Sequence, residues 1–75
     1  MSHGYSLRFV ALNKSADVGL LGVRLGRRCI ASDVPVTAVA GRLGVSRQTV
    51  YNWFIGEAHP RPNARQRIEL FLTTL

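Results

Sequence analysis

Apolar residues return at three- and four-residue steps through most of this chain, and that spacing predicts helices. Val18, Leu21, Leu25 and Cys29 form one apolar face over Ser15–Ser32. Ser15 or Asp17 is placed to cap its start. Arg24, Arg27 and Arg28 fall off that face, near the end where cations suit the macrodipole. Val36, Val39, Ala40 and Leu43 make a second stripe over Pro35–Leu43. Pro35 suits a first turn, Asp33 precedes it as a cap, and Gly44 stops it. Val50, Trp53 and Phe54 face inward over Ser46–Ile55, between Ser46 as N-cap and Gly56 as terminator. After a loop over Glu57–Pro62, Ile68, Phe71, Leu72 and Leu75 supply the inner face of Asn63–Leu75. Asn63 and Gln66 there have capping-box spacing, while Arg65 and Arg67 stay solvated. The start of the chain reads differently. Tyr5, Leu7, Phe9 and Ala11 alternate with Ser6, Arg8 and Val10, which predicts a short strand or an extended arm over residues 1–14.

The expected architecture is therefore an all-α, small four-helix domain over residues 15–75, preceded by that arm. One local conflict stands out. Gly19, Gly22 and Gly26 lie inside the first predicted helix, where each costs up to about 1 kcal/mol against alanine. Their use would be to let another helix approach closely.

So small a chain buries a modest share of its surface. The usual staples are absent. Cys29 is a lone cysteine, so it has no intramolecular partner. On an apolar helix face it reads as a small buried hydrophobe, with a reactive thiol as the alternative. His3 and His59 lack partners at metal-ligand spacing, so no metal is expected. Apolar residues make up 47% of the chain, enough for a compact core. No run approaches a membrane span of about 18 residues, and Met1–Ser6 does not read as a secretory signal. These features lead us to expect a cytoplasmic protein without membrane attachment.

Charge narrows the partner. Ten Lys+Arg against four Asp+Glu give +6, and nine of the ten cations are arginines. Guanidinium groups fork onto phosphate and guanine, so a polyanion, nucleic acid first, is the expected partner. Asp17, Asp33, Glu57 and Glu69 are the only acids and fall in caps, loops or helix faces. No carboxylate pair, phosphate-cradling loop or activated nucleophile appears. No catalytic residue, cofactor or small-molecule substrate is expected.

Residues 36–55 have the mechanics of two short helices crossing steeply. Ala40 is small enough for the contact point. Gly44 tolerates the positive φ of the turn. Val45 plugs the corner, and Val50 and Trp53 anchor the second helix. Arg47, Gln48, Tyr51 and Asn52 are left on the outer face, and such a helix fits a major groove about 12 Å wide.

The run Leu43-Gly-Val-Ser-Arg-Gln-Thr-Val-Tyr-Asn-Trp53, followed by Gly56 and Pro60, resembles the lambda-repressor-like (Cro/C1, or XRE) helix-turn-helix family. The likeness spans about residues 21–72 and is strongest over 39–56. It implies a recognition helix after the Gly-Val-Ser turn, a phage-type Cro-like repressor, and a homodimer on double-stranded DNA. Arg47, Gln48, Tyr51 and Asn52 would then meet bases. Thr37, Arg42, Ser46, Thr49, His59, Arg61 and Arg65 would meet phosphates. The family often has a phosphate-bracing glutamine where Val36 stands, with Thr37 as a substitute here. It often has glutamate where Phe54 stands, which reads as core or as an extended interface. The arm over 1–14 has no counterpart. Gln48 or Asn52 can bridge adenine N6 and N7, and Arg47 can fork onto guanine. Two other readings use the same fold: a DNA-binding subunit of a phage packaging or excision machine, and an interaction module for an acidic partner such as RNA polymerase.

Overall fold

A computed structural model describes residues 4–75, so readings that concern Met1–His3 lie outside the described residues. Among the described residues there are five helices and no strand. They are α1 (Leu7–Ser15), α2 (Leu21–Ala31), α3 (Val36–Leu43), α4 (Arg47–Phe54) and α5 (Pro62–Leu72). The all-α reading holds, and the fifth helix is the correction: residues 7–15 are neither strand nor extended arm. None of these helices is long and apolar enough to cross a membrane.

Ser6 explains α1. Its backbone is extended and its side chain accepts from the Phe9 amide, the geometry of an N-cap. Tyr5, Phe9 and Asn13 then follow at four-residue steps and point inward. Tyr5 stacks on Phe9 at 5.9 Å and lies 6.3 Å from the Phe54 ring. Its hydroxyl donates to the Val34 carbonyl at 2.7 Å. Leu7, which the supposed alternation puts on the same side as Tyr5 and Phe9, is 83% exposed.

Asn13 locks α1 to the rest. It is the one buried polar side chain among the described residues. Its Nδ2 donates to the Phe54 carbonyl at 2.6 Å and to the Val23 carbonyl at 3.2 Å. Arg27 donates through Nε to Asn13 Oδ1 at 3.4 Å and through Nη2 to its main-chain carbonyl at 3.1 Å. The Phe54 carbonyl belongs to the last turn of α4, where no intrahelical partner exists. Asn13→Ala removes that partner and strips two carbonyls of a donor. A loss of about 1–3 kcal/mol in urea unfolding is expected, with Asn13→Asp no better because it offers no N–H.

Helix α2 starts at Leu21, later than its periodicity suggested, and neither Ser15 nor Asp17 caps it. Asp17 instead folds its carboxylate onto the Gly19 amide at 2.8 Å, a local turn that competes with helix. Val18 is accordingly 48% exposed, whereas Leu21, Leu25 and Cys29 are buried. Gly22 and Gly26 are where α4 comes closest. A Cβ on Gly22 would sit 2.8 Å from the Trp53 Cβ and carbonyl, and one on Gly26 2.7 Å from the Phe54 ring. The close approach expected of these glycines is realised at both; Gly19 meets only its own turn.

The end of α2 corrects another expectation. Asp33 does not cap α3. It takes φ 56 as the left-handed residue that closes α2, with the Val34 amide donating to the Cys29 carbonyl at 2.9 Å. Pro35 is the N-cap residue of α3, and Gly44 ends that helix at φ 69 as expected. Asn63 likewise does not cap α5. The helix begins one residue earlier, at Pro62, whose fixed φ and missing N–H suit a first helical position.

The core joins all five helices. Val39, Val50, Phe54 and Ile68 are fully buried at its centre, so Phe54 is core rather than interface. Cys29 is buried too, and that burial pushes its thiol from an ordinary 9.0 up to about 12, with the nearby Arg28 charge offsetting part. The unfolded thiol ionises near pH 9 while the folded one stays protonated. Stability is therefore full below pH 9 and falls by roughly 1.4 kcal/mol per pH unit above it, up to the folded value. Burial also raises the Tyr5 phenol, which starts to matter only above pH 10. Cys29→Ala should flatten the fall between pH 9 and 10 in urea titrations; an unchanged slope would contradict the assignment.

Candidate nucleic-acid interface

Helix α4 is held by its inner face and capped at its start. Ser46 Oγ accepts from the Thr49 amide at 3.1 Å and shares a hydrogen bond with Thr49 Oγ1 at 2.9 Å. The first-turn amides of Arg47 and Gln48 have no intrahelical acceptor, which leaves a partial positive charge at this end. Val50, Trp53 and Phe54 anchor the helix from inside, and Val45 packs half-buried at the corner. The helix therefore projects a fixed outer face.

That face is not uniform. Arg47 and Gln48 are exposed, while Tyr51 and Asn52 are half-buried. Gln48 Nε2 donates to Asn52 Oδ1 at 3.0 Å, so the two carboxamides act as a pair. Tyr51 meets the Phe9 ring edge-on, centroids 5.0 Å apart. Helix α1 thus braces the outer helix from the side, a contact that reading residues 1–14 as an arm missed.

Beside α4 runs an open groove of about 450 Å³, with Trp53 in its wall and Thr49, His59, Arg61 and Arg67 along it. No acidic residue lines it. The structure thus brings Thr49, His59 and Arg61 together. Arg67 was not among the predicted contacts. Arg61, Ala64 and Arg67 follow at three-residue steps, with buried Ala64 between the two arginines, and that spacing was the available signal. Arg65 lies in an adjoining recess with Arg24 and Glu69, and His59 is common to both. Arg24 approaches Glu69 at 3.7 Å, an exposed pair of little energetic weight.

Two predicted phosphate contacts stand apart. Arg42 lies over the Phe71 ring at 5.3 Å and lines another recess with Leu70 and Thr73, which meets the groove only at Arg67. Thr37 is exposed on the first turn of α3, outside the groove. Val36, next to it, is buried in the core and offers nothing to a phosphate.

A family model described as a homeodomain-like domain matches residues 23–54, from within α2 to the end of α4. Within that span, helix α3, the Gly44 turn and α4 form a helix-turn-helix. No curated protein and no solved structure matches the chain. Homeodomain-like and repressor-like helix-turn-helix domains share one docking scheme, in which the second helix of the motif enters the major groove. In this chain the second helix of the motif is α4.

Proposed function

We propose that this protein is a sequence-specific double-stranded-DNA-binding transcriptional regulator that reads the major groove with α4. The observation that carries this reading is the juxtaposition of an outer face of exposed Arg47 and Gln48 and half-buried Asn52 with an acid-free groove holding Arg61, Arg67 and His59. The face carries side chains that discriminate base edges. The groove carries fixed charge for the flanking phosphates, which position the helix without reading sequence. Tyr51, steadied by Phe9, completes the face, and Ser46 and Thr49 frame its N-terminal end.

The narrower reading is a repressor of the Cro kind, acting as a homodimer on a palindromic site. Two α4 helices would then be spaced about 34 Å apart, one turn of duplex. The arrangement with exposed arginines also suits an acidic protein partner, and salt separates the two. Titration with random duplex DNA between 50 and 200 mM salt should show affinity falling linearly in log–log terms, with a slope near −0.9 for each phosphate neutralised. No binding at the lowest salt would remove DNA as the ligand and leave the protein partner. Selection from a random duplex library then defines the site, and Gln48→Ala should erase preference at one base pair of it.

A further inference from the structure

The pairing of Gln48 with Asn52 has a consequence for which base is read. A free terminal carboxamide turns between two broad orientations and so offers either its oxygen or its N–H to whatever base lies opposite. Gln48 is exposed and is not held by its surroundings. Asn52 is half-buried, and its side chain has one torsion fewer than that of Gln48; its main-chain carbonyl accepts from the Glu57 amide at 2.9 Å, which holds the backbone at that position. The better-anchored residue of the pair is therefore Asn52. Its Oδ1 takes one of the two Gln48 N–H donors at 3.0 Å.

We propose that Asn52 is a positioning residue that fixes the orientation of the Gln48 amide and thereby makes Gln48 select adenine over guanine. The inference rests on the proposed reading of DNA by α4. With one N–H held by Asn52, the outward edge of the Gln48 amide presents one donor and one acceptor side by side. The major-groove edge of adenine presents the complement, the N7 acceptor and the N6 donor. Guanine presents two acceptors, N7 and O6, so the amide oxygen would face an acceptor without a proton between them. Released from Asn52, the amide can rotate and satisfy guanine through a single N–H, and discrimination falls. Arg47 does not depend on this pair, so its contribution to preference stays in place.

The test is selection from a random duplex library with the wild type, Gln48→Ala, Asn52→Ala and Asn52→Asp. The position whose preference disappears in Gln48→Ala is the one Gln48 reads. If no position changes in that variant, base reading by Gln48 fails and the proposed function is revised independently of Asn52. At the Gln48 position the wild type should favour adenine over guanine. Asn52→Ala should reduce that preference roughly tenfold while leaving the other positions unchanged. Asn52→Asp keeps an acceptor for the Gln48 N–H, so it should retain adenine even as its added negative charge lowers affinity on every duplex. Guanine at that position in the wild type, or an adenine preference untouched in Asn52→Ala, overturns the inference. Loss of the preference in Asn52→Asp also overturns it, since Asn52 would then be read through its own N–H. Thermal melting checks each variant; if Asn52→Ala is unfolded, Asn52→Leu, of similar size but without an acceptor, takes its place with the same expected loss.

Discussion

Gly26→Ala should lower the stability of this domain by about 2 kcal/mol or more, and Gly41→Ala should raise it by up to about 1 kcal/mol. The same substitution takes opposite signs because of what meets the added methyl. At Gly26 a Cβ would lie 2.7 Å from Phe54 Cγ, and 2.8 Å from both Phe54 Cβ and Asn13 Nδ2. Carbon atoms rest about 3.5–4.0 Å apart, so α2 and α4 must separate or Phe54 must leave its rotamer. Phe54 is fully buried, and Asn13 is pinned between two carbonyls, so neither can give way cheaply. Alanine's helix propensity offsets only about 1 kcal/mol of that overpacking. At Gly41 nothing lies within 4 Å, so the propensity gain is felt alone. Urea midpoints for the two variants check the pair. A Gly26→Ala protein as stable as wild type would mean that the helices do not meet there. The substitution should also weaken DNA binding, because α4 carries both Phe54 and the proposed reading face.

What could be read from the sequence divides along the same physical line. Local signals served well. Ser46 caps α4 and Gly44 closes α3 because a cap and a positive-φ turn involve neighbours only. The core faces of α3 and α4 followed from period alone. The glycine conflict in α2 was visible, and its resolution needed only the idea of a close helix neighbour. Failures arose where local signals competed. In residues 5–11 an apparent two-residue alternation masks a four-residue one, in a helix that begins at the Ser6 cap. Asp17 and Asp33 were both assigned to helix starts, since aspartate favours caps and turns alike. The structure uses them for a turn and a left-handed closure. Long-range contacts lay beyond any local pattern. Asn13 finds the Phe54 carbonyl 41 residues away, and Arg67 joins Arg61 in a groove whose wall belongs to α4. Val36 stands where a phosphate-bracing residue is common in the family the sequence resembles, and it is buried; Arg61 and Arg67 line the groove beside α4 instead of the start of α3.

Removing both Arg61 and Arg67 should weaken binding to every duplex roughly tenfold or more at moderate salt, and should leave the preferred sequence unchanged. Each arginine that neutralises a phosphate releases counterions on binding, which contributes about −0.9 to the slope of log affinity against log salt. Losing both should flatten that slope by about 2. Gln48→Ala should do the reverse, changing preference at one position with little effect on the slope, because a neutral side chain releases no counterion. The fold makes this separation clean. Arg61 and Arg67 are exposed and make no ion pair with any of the four acids among the described residues, so their removal takes little stability with it. Arg42 provides a contrast. Its guanidinium lies over the Phe71 ring, an interaction worth about 0.5–1 kcal/mol at an exposed site, so Arg42→Ala registers in unfolding as well as in binding. If Arg61 and Arg67 can both be replaced without changing the salt slope, the groove beside α4 does not hold the backbone. The phosphates would then have to be met from a neighbouring recess, that of Arg24 and Arg65, which adjoins the groove at His59, or that of Arg42. The same measurement therefore tells which flank of α4 faces the backbone.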